Sequence, residues 1–65
     1  MNEDTYVCAL MVEAMAIQAT IEGMKAENQY RLLVDGVISY GEDAFEREAA
    51  TLRHLAEALR IRAQA

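Results

Sequence analysis

Few side chains in this 65-residue chain can do chemistry. His54, the only histidine, stands three residues before Glu57, a spacing that sets an imidazole and a carboxylate on one helix face, where both could ligate a metal. Di-iron helical bundles use the reverse order, glutamate three residues ahead of histidine, together with further inward carboxylates. Here residue 51 is Thr. The pattern reads as a solvated or partly buried histidine. Cys8 is the only cysteine, which excludes a disulfide scaffold. No activating motif surrounds it, and in an apolar helical stretch it reads as a small core residue rather than a nucleophile. The glycines stand singly at 23, 36 and 41, so neither a phosphate-cradling loop nor a dinucleotide-binding turn can be built. Adjacent carboxylates such as Glu42 and Asp43 point about 100° apart on a helix, whereas general acid–base work needs a shared cleft. The chain therefore reads as a non-enzymatic protein with no catalytic residue, cofactor or metal.

Charge says more. There are 11 Asp and Glu against 6 Lys and Arg, a net charge of -5. Phosphate contacts need a basic surface, so direct nucleic-acid binding is not expected. The acids gather in the middle of the chain: residues 35–48 hold Asp35, Glu42, Asp43, Glu46 and Glu48 against Arg47, while 49–65 hold Glu57 against Arg53, Arg60 and Arg62. Glu22 and Glu27 join them if the chain folds back on itself. Carboxylates so grouped on a rigid body can imitate a nucleic-acid backbone and occupy a basic groove on a partner. The plainer reading is helix-dipole complementarity with a solubilising surface.

Two helices must position these groups. Val7, Leu10, Ala14, Ile17, Ile21 and Met24 recur at steps of three and four and share a face. Cys8, Val12, Met15, Ala19, Ala26, Tyr30 and Leu33 form a second seam beside the first, and together they make a stripe wider than one partner helix covers. The methionines Met11, Met15 and Met24 read as core rather than as an adaptable binding groove. Gly23 is a weak point that also permits a close backbone approach. This helix is expected at about 4–34, ended by a left-handed Gly36 and carried past residue 30 by the Glu27–Arg31 pair. The alternative for 31–40 is a short β-hairpin or extended segment, because Asp35-Gly36 is a strong hairpin turn flanked by apolar residues. A second helix is expected at about 40–63, started by a capping box, Ser39-x-x-Glu42, and buried through Phe45, Ala49, Leu52, Leu55, Ala56 and Leu59.

The expected fold is all-α: a single domain over 1–65, built as a two-helix hairpin. So small a hairpin cannot cover the apolar surface of its first helix, and with no disulfide or metal staple it is expected to self-associate, most simply as a homodimeric four-helix bundle. The start Met1-Asn2-Glu3-Asp4 is acidic and unlike a secretory signal. The apolar run Tyr6 to Ile21 is interrupted by Glu13 and Gln18 and is shorter than the roughly 20 residues of a bilayer span. No membrane contact and a cytoplasmic location are the expectations.

Two stretches, Ile21-Glu22-Gly23-Met24-Lys25-Ala26-Glu27-Asn28-Gln29-Tyr30-Arg31 and Ser39-Tyr40-Gly41-Glu42-Asp43-Ala44-Phe45, resemble short helical proteins encoded by tailed phages and prophages. The likeness spans residues 21–59. Size and acidity also resemble phage anti-defence proteins, anti-CRISPR proteins among them. The resemblance implies an inhibitor in the bacterial host's cytosol that binds a host complex with a basic surface and blocks its nucleic-acid site. It carries over no functional residue. The partner-binding surface read from charge is Asp35, Glu42, Asp43, Glu46 and Glu48 with Glu22 and Glu27. The alternative is a structural or regulatory homodimer acting through its apolar stripe. A third reading, a sponge for a small anionic signal, would need Lys25, Arg31, Arg53 and Arg60 to converge.

Overall fold

The computed structural model describes residues 3–64. Helix α1 runs Glu3–Val34 and helix α2 runs Glu42–Gln64. They lie antiparallel, in a rod of 50 × 17 × 13 Å. No strand occurs among the described residues, so residues 31–40 form a helix end and a turn instead of a β-hairpin.

The first seam of α1 is the one that α2 covers. Val7, Leu10, Ala14 and Ile21 are half-buried along it, and Ile17 and Met24 are 7% and 6% exposed. These two are the only buried residues among those described. On α2 the facing residues Phe45, Ala49, Leu52, Leu55 and Leu59 are half-buried, and Glu48 joins them. Ala56, expected inside, is exposed. At about 100° per residue it points roughly 60° away from Leu59 and 100° away from Leu55, toward the edge of the buried stripe. Three further expected core positions are also outside. Cys8 is exposed, as are Met11 and Met15, and of the three helix-1 methionines only Met24 packs inside. Met1 lies outside the described residues.

The turn is built by α1. Gly36 has φ +76, the left-handed conformation that glycine adopts without a Cβ clash. The Asp35 and Gly36 amides both donate to the Arg31 carbonyl at 2.9 Å, closing the helix. The Asp35 carboxylate then accepts from the Val37 amide at 3.0 Å, a local turn that only a short polar side chain can make.

The capping box does not form. Helix α2 starts at Glu42, two residues later than the expected start, with the Gly41 carbonyl accepting from Ala44 at 3.1 Å and Phe45 at 3.4 Å. Ser39 is engaged elsewhere: its hydroxyl accepts from Arg31 Nε at 3.2 Å and donates to Glu27 Oε1 at 3.4 Å. Its amide donates to Asn28 Oδ1 at 3.0 Å, as does the Tyr40 amide at 2.9 Å, and Asn28 Nδ2 donates to the Tyr40 carbonyl at 2.8 Å. One amide side chain thus holds the incoming chain against α1. Asn28→Ala should lose about 1–3 kcal/mol of stability. Denaturant unfolding measures the loss, and hydrogen exchange should show faster amides at Ser39 and Tyr40; unchanged exchange there would mean that the clamp does not hold in solution.

The opposite end is tied by Arg62. Its guanidinium donates to Glu3 Oε2 at 3.1 Å and lies 4.2 Å from the Tyr6 ring centroid. The ion pair is half exposed, so it aligns the ends more than it stabilises them.

Candidate functional site

The most prominent surface is the second seam of α1. It does not lie beside the first. Residues advance about 100° each around a helix, and the mean directions of the two seams differ by about 160°. With α2 on the first, the second points almost directly away from it. Cys8, Val12, Met15, Ala19, Ala26, Tyr30 and Leu33 are all exposed, and Gly23 continues the line between Ala19 and Ala26. Val12 is 65% exposed, Met15 66% and Leu33 89%. The hairpin therefore has an apolar helix with two working faces and a partner on one of them.

The seam runs on to the tip of the rod. Because Asn28 grips the chain at residues 39 and 40, the last six residues of α1 extend past the point where α2 begins. Leu32, Val34, Val37 and Ile38 are exposed there, around the Arg31–Asp35 pair.

The carboxylates expected at a partner surface are placed as follows. Asp35 and Glu27 share Arg31, at 3.0 and 3.5 Å. Glu22 pairs with Lys25 at 2.9 Å and Glu46 with Arg53 at 2.5 Å. Glu42, Asp43 and Glu48 have no ion-pair partner among the described residues. The turn gathers Glu27 and Asp35, and the first turn of α2 presents Glu42 and Asp43, with Glu46 one turn on. The other two stand apart. Glu48 is half-buried on the side of α2 that faces α1, and Glu22 lines a shallow groove with Gln18, Ile21 and Leu52. Leu52 is about 15 Å along α2 from Glu42. Four of the seven therefore already have a counter-ion within the chain.

His54 is exposed and lines an open groove with Ala50, Arg53 and Glu57. Glu57 is turned to Arg60. No three His, Cys, Asp or Glu side chains converge among the described residues.

By length and composition α1 is apolar enough to cross a membrane: it is a continuous 32-residue helix whose most apolar stretch has mean hydropathy 1.4. The apolar run Tyr6 to Ile21 lies within this helix, which ends at Val34 as the sequence leads one to expect. Helix α2, packed along it, carries Glu46, Arg47, Arg53, Glu57 and Arg60.

Asn28 was not singled out from the sequence. An asparagine inside a helix, where it is a poor helix former, is the signal that could have marked it.

The chain matches no known protein family, no curated protein and no solved structure.

Proposed function

We propose that this is a non-enzymatic interaction protein that works as a homodimer, joined through the outward seam of α1. The supporting observation is the pairing of a two-residue core with a second apolar face that runs the length of the same helix. A domain near 65 residues has little stability to spare, and burying Val12, Met15, Tyr30 and Leu33 in a second copy supplies what the hairpin lacks. The grooves lined by Asp43 and Glu46, by His54 and Glu57, and by Gln18 and Glu22 are open to solvent. Sedimentation equilibrium tests the reading: the mass should be twice 7.3 kDa at micromolar concentration. A compact monomer there would overturn it.

A second reading has its own support. Glu42 and Asp43 stand exposed and unpaired at the start of α2, next to the acidic turn. An anionic end of this kind suits a basic groove, as in the phage anti-defence proteins that the sequence resembles, and the host partner would then be a nucleic-acid-binding defence complex in the bacterial cytosol. Glu42→Lys combined with Asp43→Lys should weaken inhibition of a purified CRISPR effector about tenfold or more at low salt. Equal inhibition by the variant and the native chain would remove the charge mechanism.

A further inference from the structure

We infer that Asp35–Gly36 is a site of spontaneous backbone isomerisation that Arg31 holds closed for as long as the turn is folded, whether or not the chain pairs with a second copy.

The chemistry is set by the two residues themselves. Asn2, Asp4, Asn28 and Asp43 are followed by Glu, Thr, Gln and Ala, and only Asp35 is followed by glycine. An aspartyl carboxyl carbon can reach the next residue's amide nitrogen to close a five-membered ring, and a Cβ on that next residue hinders the approach. Glycine has none. In the reaction the Gly36 nitrogen bonds to Asp35 Cγ and one Cγ–O bond breaks. The departing oxygen leaves as water, taking the amide proton and a second proton from solvent. Water then reopens the cyclic imide. Breaking the new Cγ–N bond restores the aspartate. Breaking the bond between the Gly36 nitrogen and the Asp35 main-chain carbonyl carbon instead leaves an isoaspartate, with the chain running through Cγ and longer by one methylene. Nothing is oxidised or reduced, and water is the only co-reactant.

The fold restrains each group that must change. The Gly36 amide, whose proton must leave, donates to the Arg31 carbonyl at 2.9 Å. Asp35 Oδ2 accepts from Arg31 Nη1 at 3.0 Å, and Oδ1 accepts from the Val37 amide at 3.0 Å. The carboxylate is thus held at both oxygens and the nitrogen at its only hydrogen. Closing the ring requires the amide to leave Arg31 and one oxygen to be given up. Arg31 supplies two of the three holds, one from its main chain and one from its side chain. Its guanidinium is fixed in turn by Ser39 Oγ at 3.2 Å and Glu27 at 3.5 Å. The same turn closes α1 through the left-handed Gly36. A methylene added there moves the Ser39 and Tyr40 amides relative to Asn28, which holds both. Opening the turn therefore exposes the site, and the isomerised product cannot close the turn as before.

The test is a rate measured on the full chain in warm neutral buffer. Isoaspartate is counted with an isoaspartyl carboxyl methyltransferase and a labelled methyl donor, and peptide mapping places the label. The folded chain should isomerise at residue 35 at least about tenfold more slowly than the same chain unfolded in guanidinium chloride, because reaction waits for local opening. Arg31→Ala should raise the folded rate several-fold and leave the unfolded rate unchanged. Asn28→Ala loosens the hold on residues 39 and 40 and spares the contacts of Arg31 with Asp35 and Gly36, so it should accelerate the reaction less. Each variant is compared with native chain brought by guanidinium chloride to the same unfolded fraction, which separates loss of the Arg31 contacts from loss of stability. Equal rates in the folded and unfolded native chain would overturn the inference, as would absence of label at residue 35 in the unfolded chain. An Arg31→Ala rate equal to that of native chain at the same unfolded fraction would show that folding in general protects the site, and would overturn the role of Arg31.

Discussion

Ile17→Glu should unfold the hairpin rather than merely separate its copies. Ile17 is 7% exposed in the middle of the α1–α2 contact, and among the described residues only Met24 shares its burial. Truncating such a residue to alanine costs about 2–5 kcal/mol. A carboxylate there must in addition be desolvated with no cation opposite it, since the facing residues of α2 are Ala49, Leu52 and Leu55. A chain of this size has a total stability of roughly 3–10 kcal/mol, so one substitution removes most of it. The measurement is far-ultraviolet circular dichroism with a thermal melt. Helicity should fall sharply and the cooperative transition should disappear. A variant that keeps both and loses only its association would place Ile17 on the outer seam, contrary to the packing described.

Met15→Glu should do the opposite. Met15 is 66% exposed and points away from α2, so a carboxylate there is harmless to an isolated hairpin. In the dimer it is buried twice, once in each copy. Dissociation should strengthen by about a hundredfold or more, a few kcal/mol shared between two uncompensated charges. The melt should also change character. The native dimer should melt at a temperature that rises with protein concentration, because association stabilises the fold by mass action. The variant should melt lower and lose that dependence. If both proteins melt with the same concentration dependence, the outer seam is not the interface. Together the two substitutions, two residues apart in the chain, separate folding from assembly.

The face that α2 covers was legible because its spacing is regular: Val7, Leu10, Ala14, Ile17, Ile21 and Met24 keep to one side of the helix for five turns. The end of α1 was legible because Gly36 supplies a conformation that other residues resist. The start of α2 was not. Ser39-x-x-Glu42 is locally a good cap, but the Ser39 amide and hydroxyl are claimed by Asn28, Arg31 and Glu27, eight to twelve residues away in sequence, and such a claim leaves no local pattern. Cys8 and Met15 were misplaced for a different reason. Periodicity shows which residues share a stripe; it does not show which of two apolar stripes the other helix selects. The acidic surface was legible as composition, while the sharing of Arg31 by Glu27 and Asp35 required the turn to be seen. Both carboxylates sit four residues from that arginine, and only the first pair was anticipated.

The grip of Asn28 on residues 39 and 40 is directed at main-chain atoms. It follows that the constraint on sequence is one-sided. Position 28 needs a short side chain offering both a donor and an acceptor, and few amino acids supply that. Position 40 need only retain its peptide N–H, so nearly every residue except proline satisfies the grip there. Evolutionary drift at this corner should therefore run freely on the strand of chain being held and stall at the residue that holds it.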